Sequence, residues 1–136
     1  GVGTDGAASN NRLDVLTEMR MAALLAKVSS GDAGMVSAAD CLEMATLQGA
    51  RALGLDDRIG SIAAGKSADL AAVELSSVET LPCFDPVSHL AYAAGREHVT
   101  HVWVEGRARL LDRALEGLDE EDLRDKARWW AKRIST

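Results

Sequence analysis

The clearest candidate for a chemical role is Asp5, which lies in a run of small and polar residues at positions 1–11. Val2 to Thr4 has the character of the end of a buried strand, and in α/β barrels the reactive groups collect where strands end. A carboxylate placed there can ligate a divalent metal and accept a proton from the water that the metal activates. Asp is also a common cap of helices and loops, and its position alone favours a cap over a ligand.

The same opening matches the GxGxxG pattern of dinucleotide-binding turns, from Gly1 to Gly6. Such a turn has to follow a strand, and no strand residues precede Gly1 in this sequence. It would also bring Asp5 close to a pyrophosphate, where the two negative charges repel each other. A dinucleotide binder is therefore the weakest of the functions that this opening suggests.

The three histidines are the other potential metal ligands. His98 and His101 fall in one predicted strand with two residues between them, so their side chains should point to opposite faces and cannot chelate together. His89 lies far along the chain from Asp5. We expect structural or surface roles for all three, because one aspartate without further protein ligands does not make a metal site.

Composition excludes several classes of partner. The 136 residues are 47% hydrophobic, which is enough for a core, and the formal net charge of −6 argues against nucleic acid or an anionic membrane as partner. The longest apolar run, Met21 to Ala26, is too short to span a bilayer. Cys41 and Cys83 form no CxxC motif, and no targeting segment is evident, so we predict two reduced cysteines in a cytoplasmic protein.

Two helices are predicted in the first part of the chain. The first runs from about Leu13 to Lys27, and its stretch from Met21 to Ala26 is apolar almost all round, which indicates burial from two directions. Ser37 and Asp40 resemble a capping box that opens a second helix, ending near Gly54. The predicted buried positions of this second helix are Leu42, Ala45, Gly49 and Leu53.

The pattern changes near Asp56 to turns and short strands. We predict a strand at Asp69 to Leu75, a short helix at His89 to Ala94, and a hairpin that joins Val99–Val104 to Arg107–Leu111. A C-terminal amphipathic helix should follow Asp119 as its N-cap, with acids in its first turn and bases in its last. Its predicted buried stripe consists of Leu123, Ala127, Trp130 and Ile134.

Several of these segments resemble a known family. Gly3-Thr-Asp-Gly-Ala-Ala-Ser-Asn-Asn11, with Leu13-Asp14 and Glu18-Met-Arg20, is similar to the segment after the last barrel strand in the aminohydrolase (deaminase) branch of the amidohydrolase superfamily. Within that branch it is most similar to the deaminases of 5-methylthioadenosine and S-adenosylhomocysteine. Gly65-Lys66 and Ala68-Asp69-Leu70 resemble the passage from the barrel into a small β domain across the wider superfamily.

The resemblance implies an α/β fold in which the chain is a C-terminal portion of the enzyme. Residues 1–55 would hold the last strand–helix unit of a (β/α)8 metal-dependent hydrolase barrel and a further helix. Residues 56–118 would belong to a small β-sandwich domain, and residues 119–136 would form the terminal helix. A truncated barrel leaves apolar surface and strand edges exposed, so we also expect self-association, or contact with the missing part of the parent, through Asp69–Leu75 or Met21–Ala26.

The resemblance also implies a chemistry. In this family an HxH pair, a third histidine and an aspartate hold one zinc or iron ion, which activates water to displace an amino group as ammonia. Asp5 matches the aspartate, and Ser9 and Asn10 would line the entrance for a purine nucleoside-like substrate. The other ligands and the proton-shuttling glutamate are absent here, so the chain alone should hold no metal and remain inactive. The alternative is a non-catalytic assembly module that has kept the β domain.

Overall fold

A helical half and a sheet half follow each other along the chain in this computed structural model, which describes residues 1–135. The helical half consists of α1 Val15–Ser30, α2 Ala38–Ala45 and α3 Leu47–Ala52. The second half consists of β1 Leu70–Val73, α4 Pro86–Tyr92, a 3-10 turn at Arg96–His98, β2 Val99–Val104, β3 Arg107–Leu111, β4 Ala114–Leu115 and α5 Glu120–Ile134. No helix among residues 1–135 is both long enough and apolar enough to cross a membrane.

Helix α1 confirms the first predicted helix with shifted ends. It begins after Asp14, whose side chain accepts the N–H groups of Leu16 and Thr17 and so caps the first turn. Its last residue is Ser30, three positions past Lys27. Gly31 follows as the C-cap, and its φ of 68° is the left-handed conformation that glycine adopts at low cost.

The second predicted helix is two helices in the structure. Its capping box is confirmed, because the Ser37 hydroxyl accepts the Asp40 N–H and the Asp40 carboxylate accepts the Ser37 N–H. Thr46 then leaves the helical region, with φ −124° and ψ −96°. The periodicity of α2 therefore does not continue into α3. Ala50 consequently takes the buried position, and the prediction that Leu53 is buried was wrong, because 73% of that residue is exposed.

The core is small and lies between α1, α2 and α4. Its fully buried members are Met19, Ala23, Cys41 and Ala91. The prediction that Met21 to Ala26 is buried from two directions was wrong for this chain: Ala23 is buried, but Leu24 and Leu25 are about half exposed. Only one side of α1 has a neighbouring element among residues 1–135, so its other side remains apolar and open.

Helix α4 begins earlier than its sequence pattern predicted. Asp85 caps it by accepting the Val87 N–H at 3.0 Å, and Pro86 occupies the first helical position, where its missing N–H costs nothing. The segment 56–68, for which turns and short strands were predicted, consists of turns, bends and irregular backbone and contains no strand. There the Lys66 ammonium donates to the Ile59 carbonyl and the Ser61 hydroxyl.

The four strands form one antiparallel sheet in the order β1-β2-β3-β4, which leaves β1 at an edge. The predicted hairpin is confirmed, with Val104 paired to Arg107 across Glu105 and Gly106. Both turn residues have positive φ, 51° and 74°, as the tight turn between twisted strands requires. The predicted strand at Asp69–Leu75 is confirmed in a shorter form, as β1.

Helix α5 is capped by Asp119 as predicted, but its predicted buried stripe was wrong. None of its described residues is buried, and Trp130 and Ile134 are 55% and 78% exposed. Heptad spacing of apolar residues identifies the face that would pack, but burial also needs a covering element. Among the described residues only Leu123 of this face lies near the sheet, in a groove shared with Val99, Leu110 and Leu115.

Candidate active-site loop

Asp5 lies in an irregular, exposed segment, so the prediction that Val2 to Thr4 is a strand was wrong for the described chain. The Val2 N–H donates to the Met44 carbonyl at 3.0 Å, but no strand lies beside this segment among residues 1–135 to continue a ladder. Asp5 has a φ of 59°, a conformation that Asp tolerates because its carboxylate can bond to nearby backbone. Its Oδ1 accepts the Gly6 N–H at 2.7 Å, which leaves Oδ2 without a hydrogen-bond partner in the described structure.

The loop after Asp5 folds back on itself before it reaches α1. The Gly6 carbonyl accepts the N–H groups of Ser9 and Asn10, both at 3.0 Å. The Asn10 amide donates to the Glu18 carboxylate at 2.6 Å and accepts the Arg12 N–H at 3.1 Å. Its polar atoms therefore hold the loop to the first turns of α1, whereas the exposed Ser9 hydroxyl has no partner among residues 1–135. Substrate contact by either side chain stays a prediction.

A second aspartate, Asp14, closes the loop and was missed as a site residue in the sequence. It is 2% exposed, and its carboxylate accepts the Thr17 hydroxyl at 2.8 Å and the Leu16 N–H at 3.1 Å. Burial alone would raise the pKa of Asp14, but hydrogen bonds from the Thr17 hydroxyl and from the N–H groups of Thr17, Arg96 and Leu16 together lower it. An aspartate directly before an apolar helical pattern was the available signal for this cap.

The loop also contacts a segment far along the chain. The Arg96 guanidinium donates to the Arg12 carbonyl at 2.7 Å, and the Arg96 N–H reaches the Asp14 carboxylate at 3.5 Å. On α1, Arg20 donates to the Ala94 carbonyl at 2.7 Å. Residues 10–20 are thus joined to residues 94–96 by side-chain hydrogen bonds that no local sequence pattern encodes.

The described residues do not form a complete metal site. They contain no group of three His, Cys, Asp or Glu side chains that could hold an ion, so Asp5 offers one ligand only. A zinc or iron ion held by four protein groups does not fit this set alone.

The three histidines have structural partners. The prediction that His98 lies in a strand was wrong, because it ends the 3-10 turn, where the Nδ1 of its buried ring accepts the Gly95 N–H at 3.1 Å. His101 stacks on Trp103 in β2 with ring centres 5.5 Å apart. On α4, the His89 Nδ1 lies 3.1 Å from the Asp85 carbonyl.

A large apolar groove begins beside the Asp5 loop, at Gly1, Val2 and Gly3. It encloses about 1090 Å³ between the helical half and the edge strand β1, and neither Asp5, Ser9 nor Asn10 lines it. Its apolar walls include Leu13, Leu16, Leu42, Leu53, Ile59 and Ile62. A groove of this kind suits the burial of another polypeptide segment better than the chemistry of a polar substrate.

The helices, the sheet and the loop with its outward carboxylate place the chain in the α/β class. The chain belongs to the amidohydrolase family, which matches residues 1–109.

The relatives and solved structures that resemble the chain are deaminases and related hydrolases. It is 39% identical over 133 residues to a 5-methylthioadenosine/S-adenosylhomocysteine deaminase of Teredinibacter turnerae, covering 98% of this chain and 30% of that protein. It is 46% identical over 127 residues to the protein of the same name from Haloarcula marismortui, covering 93% and 29%. The chain therefore spans about 30% of the length of the curated relatives that it matches.

Among solved structures, an adenosine deaminase from Xanthomonas campestris with bound zinc is 53% identical, with a TM-score of 0.94 over 98% of this chain and 30% of that one. The atrazine chlorohydrolase TrzN from Arthrobacter aurescens TC1, complexed with zinc, is 28% identical, with a TM-score of 0.77 over 89% and 27%. Hydrolases that act on different substrates thus share this arrangement of loop, helices and sheet.

Proposed function

We propose that this chain is part of a metal-dependent aminohydrolase that removes the amino group of an adenosine-like nucleoside. The observation that carries the proposal is Asp5, an exposed carboxylate whose Oδ2 has no partner among the described residues. The names of the relatives support deamination, and the zinc bound in the similar structures supports a divalent metal.

Asp5 would serve as one metal ligand and as the acceptor of a proton from the attacking water. The Gly6 N–H fixes Oδ1, which orients the carboxylate and leaves Oδ2 for the ion or the proton. The small residues around Asp5 leave room for a ligand to approach the backbone. The remaining ligands and the proton-shuttling group would come from outside this chain, so the chain alone is expected to be inactive and free of metal.

The substrate we propose is of the 5-methylthioadenosine or S-adenosylhomocysteine type, because the curated relatives carry that name. Ser9 is the described side chain best placed to reach such a substrate near Asp5, since its hydroxyl is exposed and unbonded within residues 1–135. Asn10 is a weaker candidate, because its amide already bonds to Glu18 and to the Arg12 N–H.

We assign residues 1–55 to the end of a catalytic barrel, residues 56–118 to a small β-sandwich domain and residues 119–136 to a terminal helix. The boundary near residue 56 coincides with the change from helices to turns and sheet. The apolar groove between the two halves is where we expect the rest of the barrel and of the β domain to pack.

The second candidate function is a non-catalytic assembly module, and the groove is the observation that favours it, because it can bind another chain without any chemistry. The gene sequence upstream of Gly1 separates the two candidates. An in-frame barrel with an HxH pair supports the enzyme, whereas a start codon directly before Gly1 supports the module. A dinucleotide site at Gly1–Gly6 has no support, because the next helix begins only at Val15, too far from the glycines to place its N-terminus on a pyrophosphate bound there.

The proposed function is tested by grafting the chain in place of the matching segment of the Xanthomonas campestris adenosine deaminase, whose similarity suits the exchange. The ultraviolet change on deamination is then measured with adenosine and with methylthioadenosine. We expect the graft to turn over and its Asp5→Asn variant to lose turnover while keeping its circular dichroism spectrum. Asp57→Asn, in an exposed turn, is the matched control. Full activity of the Asp5→Asn graft would remove Asp5 from the mechanism.

A further inference from the structure

We propose that the turn Gly95–His98 is a positioning element for the Asp5 loop, and that Arg96 is the residue through which it acts. The geometry points to this because Arg96 contacts the loop at two anchors, Arg12 and Asp14, although it lies 84 and 82 positions away from them in the sequence. The inference that the position of the loop affects turnover rests on the proposed function. The inference that Arg96 holds the loop in place does not.

The first anchor is the Arg12 carbonyl. The Arg96 guanidinium donates to it at 2.7 Å, and Arg12 reaches the Asp14 carboxylate with its own side chain at 3.4 Å. The N–H of Arg12 is held in turn by the Asn10 amide oxygen. A single side chain from the second half of the protein thereby fixes the peptide that follows the Asn10 turn.

The second anchor is the carboxylate of Asp14. It is buried, and it accepts the Arg96 N–H in addition to the donors from α1. The Arg96 N–H lies 3.5 Å from an oxygen that also accepts the Thr17 hydroxyl, so this carboxylate contacts both α1 and the turn at Arg96. The N-terminal end of α1 and the turn at Arg96 therefore form one unit.

Between the two anchors lies Leu13, whose φ of 50° is a left-handed conformation that a leucine rarely adopts. Such a conformation persists where the surrounding structure holds it on both sides. Arg12 and Asp14, both bonded to Arg96, provide this constraint. The strained residue is a second observation, independent of the hydrogen bonds, that the loop is held from outside.

His98 gives the turn its rigidity. Its ring is 6% exposed, its Nδ1 accepts the Gly95 N–H at 3.1 Å, and the His98 N–H donates to the Gly95 carbonyl at 2.9 Å. These two bonds close the turn that presents Arg96. His98, for which the sequence analysis expected a structural or surface role, thus supports the turn that carries Arg96.

The coupling reaches Asp5 through the backbone of one short loop. The Asn10 amide is bonded on one side to Arg12 and on the other to Glu18, and the Asn10 N–H donates to the Gly6 carbonyl. Gly6 in turn donates to the Asp5 carboxylate. Releasing Arg12 should therefore loosen the orientation of the carboxylate without disturbing the distant sheet.

Amide hydrogen exchange of the 136-residue chain, followed by NMR, tests the coupling. We expect Arg96→Gln to raise the exchange rates of the Arg12 and Leu13 N–H groups about tenfold, because both donate to the Asn10 side chain in the loop that Arg96 holds. The shift of the Gly6 N–H should change as well, while the amides of β2 and β3 keep their rates. Arg107→Gln is the matched control, because the Arg107 side chain is exposed and has no bonded partner in the described structure.

Exchange that is unchanged in the loop, or that rises equally throughout the chain, would overturn the proposal. If Arg96→Gln does not fold, Arg96→Lys answers the same question, since it keeps the charge and the aliphatic stem but cannot reproduce the guanidinium geometry.

In the active graft, the same variant should lower kcat more than it changes KM, as expected for a residue that orients Asp5 rather than binding substrate. A change in KM alone would also contradict the role. If the unmodified graft shows no turnover, the proposed function fails, and the exchange measurement still decides whether the turn positions the loop.

Discussion

Two aspartates at the ends of one loop have opposite environments. Asp5 is exposed and has one bonded oxygen, whereas Asp14 is buried and accepts several hydrogen bonds. In the proposed site the two carboxylates would have different roles, because a carboxylate whose oxygens are already hydrogen-bonded can hold the backbone but cannot bind a ligand. At the scale of single residues, the position of Asp14 would therefore affect the proposed role of Asp5.

Replacement of Asp14 by Asn should lower the free energy of unfolding by about 1–3 kcal/mol at neutral pH, the cost of disturbing a buried hydrogen-bonded group. The pKa of Asp14 is lower in the folded chain, so its stabilising contribution is complete above its unfolded pKa of about 4 and is lost as pH falls through the lower folded pKa.

Urea denaturation at neutral pH and in acid measures this difference. The gap between the wild-type chain and Asp14→Asn should be largest at neutral pH and should shrink in acid. Asp57→Asn, at an exposed position, serves as control. A gap that does not depend on pH would show that the charge of Asp14 contributes nothing.

At the scale of elements, the capping box of α2 provides a local test. The Ser37 hydroxyl accepts the Asp40 N–H at 3.2 Å, and the hydrogen bonds from Ser37 lower the pKa of the Asp40 carboxyl. We expect Ser37→Ala to lower the free energy of unfolding by about 1 kcal/mol, the usual cost of an N-cap. Thermal and urea unfolding measure it, with Ser9→Ala as control; equal stabilities of the two variants would contradict the capping role.

The elements that the sequence predicted correctly are those that local chemistry determines. The caps at Ser37 and Asp119, and the turn at Glu105-Gly106, depend on residues a few positions apart. The exposure of α5 depends on which elements are its neighbours, and periodicity carries no information on that.

In the candidate site, too, features set by local sequence could be predicted, whereas long-range contacts could not. Asp5 could be predicted as a candidate because its residue type and its surrounding motif are local features of the sequence. Arg96 was missed because an isolated arginine before a predicted strand gives no sign that it reaches a carbonyl 84 positions away. Long-range positioning residues of this kind become visible only in a three-dimensional structure.

At the scale of the whole molecule, the dominant feature is apolar surface without a partner in the described chain. Leu53 and Ile62 line the groove and are 73% and 91% exposed, and β1 leaves a strand edge free beside it. Surfaces of this kind favour association, because burying them removes apolar area from water. We therefore expect the isolated chain to self-associate through the groove.

Sedimentation velocity over a range of concentrations tests this expectation. Leu53→Glu, inside the groove, should shift the chain toward the monomer, whereas Val28→Glu should not, because Val28 is 81% exposed but lies outside the groove. Equal effects of the two substitutions would indicate non-specific association through exposed apolar side chains. A monomeric wild-type chain would contradict the expectation.

The central claim is that Asp5 is one ligand of a metal site that other parts of the enzyme complete. Zinc content per chain, measured after dialysis, tests it most directly. We expect no stoichiometric zinc in the isolated chain, about one ion in the graft with the Xanthomonas campestris enzyme, and a clear loss of zinc in the Asp5→Asn graft. Zinc retained in full by the Asp5→Asn graft, or bound stoichiometrically by the isolated chain, would contradict the claim.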